Sequence, residues 1–295
     1  MVDVQSASTS QERARDAGIV VASHNTMHGV FLGDLIERYR ALVPQHRVDV
    51  LCLQENVPLS AEQAALRANA GTHAELFSAE LGEFQCVCLP EHPALATLIR
   101  KAFVLEDAFL VPLPRLERLN WLERLYIRGG KVTAKYALIC VIGDDTQRLT
   151  IANFHLETAG DNAHRRRQIA AVASALRERG LLHNLVACGD TNAFSWSRSG
   201  AVQVIAELMQ PLQALAGATP KTDGKATHYF ARQREDLLPH RIACMVGRLG
   251  VDHPLPYDVI CSDLEALKSG KVQTEESDHD LVYAELRWPQ ARTTG

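Results

Sequence analysis

Acidic, amide and imidazole side chains recur in this sequence where short apolar segments end. Eight of them stand out: Asn25, Glu55, His155, Asp190, Asn192, Asp258, Asp278 and His279. Seven lie where such a segment begins or ends, and Asp258 lies within one. A strand end can present a polar side chain on a rigid support, whereas a strand interior has little use for one. If the strands are aligned, these residues share one rim.

The carboxylate and amide residues of this set suit the hydrolysis of a phosphate ester. Glu55 with Asn25 offers hard ligands to Mg²⁺ or Mn²⁺, which prefer carboxylate, carbonyl and water oxygens. Asp190 is a candidate to take the proton from an attacking water, and Asn192 to orient that water or the phosphate.

The two histidines of the set supply the complementary chemistry. His279 paired with a carboxylate such as Asp258 would hold a charged imidazolium against developing negative charge. His155 would be a second donor. A metal, a base and two histidines are what in-line attack on a phosphorus ester requires.

Short β-rich segments and a few helical segments predict the support for these residues. Residues 19–23 and 48–53 are typical of buried strands. Apolar residues at helical spacing between them predict a helix that ends before Pro44, and a capping box at 60–63 predicts another helix to about Ala70. Further strands are predicted at 84–89, 95–100, 103–111, 134–142, 149–154, 185–188, 257–261 and 281–286, and a helix at 161–180. This order favours an α+β sandwich, in which two sheets pack face to face with helices outside.

Length and composition are those of an ordinary globular protein. Of 295 residues, 46% are hydrophobic and 22% charged, which excludes collagen-like, low-complexity and disordered classes. A single domain is expected over 19–288, with a flexible arm at 1–18 and a tail at 289–295. No apolar run approaches the roughly 20 residues of a membrane helix, and the polar N-terminus is unlike a secretory signal. Seven cysteines, mostly in apolar contexts, indicate buried free thiols and a cytoplasmic location.

Short motifs occur in a fixed order along nearly the whole chain. They read NT, QEN, NFHLE, GDTN, YDVI and SDHDLV between residues 19 and 286. This order resembles the endonuclease/exonuclease/phosphatase superfamily, whose fold is DNase I-like. The resemblance implies a four-layer αββα sandwich of two packed mixed sheets flanked by helices. It also implies a phosphoesterase that depends on Mg²⁺ or Mn²⁺.

The resemblance implies a metal site at Glu55. Glu55 would be the main ligand with Asn25 beside it, and Asp278 of the SDH motif would be a further metal or water ligand. Met27 stands where many members carry an acidic or polar residue, and residues 84–135 match the family only loosely.

The catalytic groups follow from the same resemblance. Asp190 and Asn192 match the family's GDxN pair, and Asp258 would orient His279. His155 matches a histidine that contacts the phosphate. The segment HLETAGDNAHRRRQ, which begins at His155, is similar to the tyrosyl-DNA phosphodiesterase branch.

Substrate contacts are predicted outside these motifs. His28, Trp196 and His228 are the candidates, and His24 is considered because it also flanks Asn25. Basic residues between 115 and 135, interleaved with leucines and Trp121, suit either a polyanion or a lipid surface. The net charge of −4 excludes a whole-molecule basic field of the kind that coats duplex DNA.

Three functions remain open from the sequence. The first is hydrolysis of a phosphodiester in a nucleic acid or a nucleotide-like molecule. The second is the same chemistry on a phospholipid, sphingomyelin, or an inositol or sugar phosphate. The third is a catalytically inactive binding module, which the intact set of polar residues argues against. A phosphate ester is the expected partner, nucleic acid among the candidates, and no protein partner is inferred.

Overall fold

The computed structural model describes most of the predicted domain. The described residues are 18–61, 63, 70–119, 121, 132–143, 147–193, 195, 198–221, 225–228 and 257–287. The predicted tail, the predicted arm apart from its last residue, Trp196, and most of the basic segment between 115 and 135 therefore lie outside them.

Strands account for most of the described secondary structure. They are β1 Ile19–Asn25, β2 Val50–Gln54, β3 Phe84–Cys88, β4 Leu95–Arg100, β5 Val104–Pro112, β6 Tyr136–Gly143, β7 Arg148–His155, β8 Leu185–Asp190, β9 Thr219–Pro220, β10 Asp258–Ser262, β11 Ala266–Val272 and β12 Leu281–Leu286. The first sheet has the order β11-β12-β1-β2-β4-β3, and the second β5-β6-β7-β8-β10-β9. Both sheets are mixed, because β1 runs parallel to β2 and β7 parallel to β8 while their other described pairs are antiparallel.

Helices cover the outer face of each sheet. They are α1 Leu32–His46, α2 His73–Leu81, α3 Asn162–Glu178 and α4 Arg198–Ala216. Apolar residues of α1 and α2 pack on the first sheet, and those of α3 and α4 on the second. A third apolar layer fills the space between the sheets. The predicted α+β sandwich is therefore confirmed. None of the described helices is long and apolar enough to cross a bilayer.

The end of α1 differs from the prediction. The helix contains Pro44 and continues to His46, where Arg47 adopts a left-handed cap. A proline within a helix lacks one N–H donor. Here the last turn closes after it, because the Arg47 N–H bonds the Pro44 carbonyl and the Val48 N–H bonds the Val43 carbonyl.

Several elements have no counterpart among the predicted ones. Helix α2 begins at a capping box in which Thr72 and Glu75 exchange side-chain and backbone hydrogen bonds. Helix α4, which contains Pro211, and the exposed edge strand β11 were also not predicted. The predicted cap of α3 is confirmed, since the Asp161 carboxylate accepts the His164 N–H at 2.7 Å.

Strand alternation places the polar residues at one end of the space between the sheets. On β8, Val186 and Cys188 lie in the layer between the sheets, and Asp190 is the next residue on that face. On β1, Ile19 and Val21 are followed on the same face by Ser23 and then Asn25. Because β1, β2, β7 and β8 all end here, this edge of the sandwich receives residues from both sheets.

A buried polar bridge fixes the two sheets behind that edge. The Asn153 side chain of β7 donates to the carbonyl groups of Leu53 and Ala96, at 3.2 and 2.9 Å, and accepts from Gln54 at 2.8 Å. Gln54 also donates to Ser23 at 3.1 Å. Satisfied buried polar groups of this kind hold one relative position of the elements they join.

Candidate active site

Asn25 joins the carboxylates of the two sheets. Its amide nitrogen donates to Glu55 Oε1 and to Asp190 Oδ2, both at 3.1 Å. Its oxygen accepts the Met27 N–H at 3.0 Å, which fixes the orientation of the amide. In this orientation the Asn25 amide nitrogen donates to both carboxylates, and its oxygen is already bonded to the Met27 N–H. The role of Asn25 as a metal ligand therefore stays a prediction.

Glu55 presents its carboxylate at the open side of the site. Its side chain is 21% exposed, and Oε2 lies 3.2 Å from Nε2 of His28, whose own side chain is 58% exposed. The Glu55 carboxylate is reachable by solvent and offers oxygen atoms as metal ligands. It therefore fits Mg²⁺ or Mn²⁺, which are bound by oxygen ligands and keep several waters. The predicted site residue His28 therefore lies at the rim, beside Glu55.

Non-glycine residues of this site adopt left-handed backbone conformations. The φ angles are 48° at Met27, 53° at His28, 56° at Glu55 and 47° at Asn192. Each such conformation costs on the order of 1 kcal/mol and persists only where the surrounding structure imposes it. Their concentration around Asn25 and Asp190 is typical of a functional site.

Asp190 is the centre of the cluster. Its Oδ1 accepts the Asn192 N–H at 2.8 Å, while the Asn192 side chain donates to the Leu156 carbonyl at 3.0 Å. Burial alone would raise the pKa of Asp190, but the nearby His279 and His155 and these hydrogen bonds hold the pKa below its ordinary value. Asp190 is therefore ionised at neutral pH.

The absence of a side chain at Gly189 allows β8 to pair closely with β7, and this pairing positions Asp190 in the cluster. The φ of Gly189 is +145°, and a Cβ atom there would lie 1.8 Å from the carbonyl oxygen of Phe154 on the neighbouring strand β7. Any side chain would force β7 and β8 apart. The Gly of the GDTN motif is thus required by the parallel pairing that sets His155 opposite Asp190.

His279 and Asp258 form the predicted carboxylate–imidazole pair. His279 Nδ1 lies 2.9 Å from Asp258 Oδ2, and Nε2 lies 3.7 Å from Asp190 Oδ2. Burial would lower the pKa of His279, but Asp258, Asp190 and Asp278 together raise it well above the ordinary value. Burial raises the pKa of Asp258 to about 6, against the opposing effect of His279. At neutral pH the pair is an imidazolium held by a carboxylate.

His155 is a neutral donor or acceptor. Its Nε2 lies 3.5 Å from Asp190 Oδ2 and 4.0 Å from Glu55 Oε1. Burial and the nearby charge of Lys135 lower the pKa of His155 to about 3. Lys135, just before β6, thus brings a positive charge to this side of the site. The sequence offered it only as one of several basic residues between 115 and 135, without a place.

His24 supports the site and does not face it, so the idea that it touches the substrate is wrong. It is fully buried on the α1 side of β1, where Nδ1 lies 2.6 Å from the Tyr39 hydroxyl and Nε2 lies 3.2 Å from the His279 carbonyl. Burial lowers the pKa of His24 to about 4. A carbonyl only accepts, so Nε2 carries the proton and Nδ1 accepts from Tyr39.

His228 and Asp278 complete the cluster. His228 Nε2 lies 3.1 Å from Asp278 Oδ2, and its ring centre lies 4.6 Å from that of His279. Asp278 also lies beside Ser277, whose hydroxyl donates to the Asn25 carbonyl at 2.7 Å. The structure therefore brings together the eight motif residues, His28 and His228, whereas Trp196 lies outside the described residues.

The two mixed sheets with flanking helices form an α+β sandwich of the DNase I-like class, with carboxylates and histidines clustered at one end of both sheets. Residues 22–279 match the model of the endonuclease/exonuclease/phosphatase family. The chain belongs to that family. Sequence comparison with curated proteins gave no match.

Solved structures share the fold at low sequence identity. An endonuclease/exonuclease/phosphatase from Bacteroides vulgatus is 15% identical, with a TM-score of 0.58 over 91% of this chain and 98% of that one. TDP2 from D. rerio, complexed with a single-strand DNA product, is 13% identical, with a TM-score of 0.56 over 91% and 98%. The human Nocturnin catalytic domain with bound sulfate is 15% identical, with a TM-score of 0.53 over 91% and 93%.

Proposed function

We propose that this chain hydrolyses phosphodiesters, in a nucleic acid or a nucleotide-like molecule, with Mg²⁺ or Mn²⁺ as cofactor. The observation that carries the proposal is the Asn25 amide, which holds Glu55 and Asp190 on either side of it at 3.1 Å. Hydrolysis of a phosphodiester would need a metal ligand and a base close together, and Glu55 and Asp190 are our candidates for these two roles. The DNA product bound to TDP2 and the sulfate bound to Nocturnin are in keeping with a substrate of this class.

The residues divide the chemistry among themselves. Asp190, ionised and aligned by Asn25 and Asn192, accepts a proton from the attacking water. His279, held as imidazolium by Asp258, donates to a phosphoryl oxygen as negative charge builds up there. His155, which is uncharged at neutral pH, contributes a further hydrogen bond. When bound at Glu55, the metal supplies Lewis-acid activation of the phosphoryl group.

The charge of the site favours a diester over a monoester. Among the residues that the structure describes, the site contains four carboxylates, those of Glu55, Asp190, Asp258 and Asp278. A monoester carries more negative charge than a diester at neutral pH and meets stronger repulsion from these groups.

Free buried thiols at Cys52, Cys140, Cys188 and Cys261 also fit a reducing compartment such as the cytoplasm.

The test compares an activated diester, bis(4-nitrophenyl) phosphate, with 4-nitrophenyl phosphate in Mg²⁺ or Mn²⁺. We expect diester cleavage that is lost with a chelator and reduced at least ~10²-fold by His279→Ala. His183→Ala, at an exposed histidine away from the cluster, is the matched control and should retain full activity. A preference for the monoester would favour an inositol or sugar phosphatase instead. Metal binding without either reaction would favour an inactive binding module.

One observation favours a lipid substrate as the second candidate. Trp121, in the segment rich in leucine and arginine, is 71% exposed. An exposed Trp beside basic residues suits the interface of a membrane. Release of head groups from phospholipid or sphingomyelin vesicles, reduced by Trp121→Ala while cleavage of the soluble diester is unchanged, would establish this candidate.

A further inference from the structure

Residues 226–228 are fixed at the site although no motif contains them. The Ala226 carbonyl accepts the Lys271 ammonium at 2.8 Å. Thr227 accepts the Asp258 N–H on its hydroxyl and the Asp280 N–H on its carbonyl, both at 2.7 Å. A β-bridge pairs His228 with His279. The backbone of this segment is thus bound to the beginnings of β10 and β12, and the position of the His228 side chain is imposed.

The His228 side chain points to Asp278. Both residues are buried, and Nε2 lies 3.1 Å from Asp278 Oδ2. A carboxylate oxygen at neutral pH only accepts, so this nitrogen carries a proton and donates it to Asp278. The hydrogen bond holds the carboxylate on the His228 side.

Asp278 is also within reach of the catalytic imidazole. Asp258 occupies Nδ1 of His279, which leaves Nε2 as the nitrogen that can meet a phosphoryl oxygen. Two carboxylates approach this Nε2: Asp190 Oδ2 at 3.7 Å and Asp278 Oδ1 at 3.9 Å. Both distances exceed those of a hydrogen bond. A small rotation of the Asp278 side chain would close the gap and occupy the N–H that the substrate needs.

We propose that His228 is a positioning residue that acts through Asp278. Its hydrogen bond keeps Asp278 off His279 and leaves the His279 Nε2–H available to the phosphoryl oxygen. The inference rests on the proposed function, because it concerns the availability of His279 to the same substrate. It gives a reason for a histidine at position 228 that does not require contact with the substrate.

The experiment is a double-mutant cycle between positions 228 and 278, read as kcat/KM on the activated diester. His228→Ala should lower kcat/KM about 10- to 150-fold, the range for one hydrogen bond to a charged group. His228→Gln should recover most of the loss, because its amide can still donate to Asp278. In the Asp278→Asn background, His228→Ala should cost less than about 3-fold, since no carboxylate then competes for His279.

Two other roles for His228 give different results. If His228 contacts the substrate, the loss caused by His228→Ala is equally large in the Asp278→Asn background, which overturns the proposal. If His228 is a metal ligand, His228→Ala raises the Mn²⁺ concentration needed for half-maximal activity, which also overturns it. Should His228→Ala fail to fold, His228→Leu serves as the variant without a donor, and circular dichroism checks the fold of each protein.

A wild-type chain that cleaves no diester would refute the proposed function separately. The inference is then tested by calorimetric titration with inorganic phosphate on the same four proteins. His228→Ala should weaken phosphate binding in the wild-type background and not in the Asp278→Asn background. Equal weakening in both backgrounds, or none in either, would overturn it.

Discussion

Asp258→Asn isolates the charge of one carboxylate from its shape. Asp258 Oδ2 lies 2.9 Å from His279 Nδ1, and both side chains are buried. The amide oxygen of Asn can still accept from Nδ1, so the ring keeps a partner of the same size. What is lost is the negative charge that, with Asp190 and Asp278, raises the pKa of His279.

The expected loss follows from the strength of that contact. A hydrogen bond between charged groups is worth about 1.5–3 kcal/mol, which is roughly 10- to 150-fold in rate. The contact strengthens as negative charge builds up on the phosphoryl group, so kcat/KM should fall about 10²- to 10³-fold. The assay is initial rates of bis(4-nitrophenyl) phosphate hydrolysis at pH 7 with saturating Mn²⁺.

Stability should move little in the same variant. Burial raises the pKa of Asp258 to about 6, above its ordinary value of 3.8, so keeping this carboxylate ionised at neutral pH costs the folded state some stability relative to the unfolded chain. Removing this charge offsets the lost ion pair, and the free energy of unfolding should change by no more than about 1 kcal/mol. Activity within 10-fold of wild type would refute the assignment of His279 as an imidazolium held by Asp258.

Asp263→Asn is the matched control at the other end of β10. The Asp263 carboxylate accepts the Asn184 and Leu185 N–H groups at 3.1 and 2.8 Å, away from the cluster. Its replacement should cost about 1 kcal/mol of stability and leave kcat/KM unchanged. The two variants together separate a carboxylate that serves the reaction from one that serves the fold.

Three further predictions concern pH, metal and packing. Because the pKa of Asp258 lies at about 6 and its protonation removes the partner of His279, kcat/KM should fall with decreasing pH through about 6, and Asp258→Asn should lack this limb; a limb that persists in the variant would contradict this. Glu55→Gln should raise the Mn²⁺ concentration for half-maximal activity by at least about 10-fold, and an unchanged metal dependence would exclude Glu55 as the main ligand. Gly189→Ala should lower the free energy of unfolding by about 3 kcal/mol or more, because its Cβ would lie 1.8 Å from a backbone carbonyl. Gly33→Ala, which meets nothing within 4 Å in a helix, should be neutral or stabilising in the same denaturant titration.

Residues at strand ends were predictable because local rules place them. Asn25, Glu55 and Asp190 follow β-rich segments, and the two-residue alternation of a strand continues from the apolar layer between the sheets to the polar site. The motif order then identified the fold. Such a pattern shows where a residue lies along a strand, and the location of these polar residues at strand ends could therefore be predicted.

Contacts between distant segments were not predictable in the same way. His228 and Asp278 are separated by 50 positions, and His24 and the His279 carbonyl by 255. No local spacing encodes such pairs, because they depend on how the sheets and loops pack. The same applies to the charge of Lys135 on His155, which exists only because β6 lies beside β7.

Local signals also failed where they were ambiguous. The capping box at Thr72 is a regular helix signal, but the helix that begins there was not predicted. Pro44 and Pro211 lie within helices, where proline ordinarily predicts an end. Packing of the apolar face against a sheet outweighs the one lost hydrogen bond in each case.

The division of the site between the sheets has a consequence for folding. Asn25 and Glu55 belong to the first sheet, whereas His155, Asp190 and Asp258 belong to the second. Neither sheet alone contains a working set of groups, so the site comes into being only when the sandwich closes. Recovery of activity after denaturation should therefore lag behind recovery of β-structure, and turnover becomes a reporter of the docking of one half of the molecule on the other.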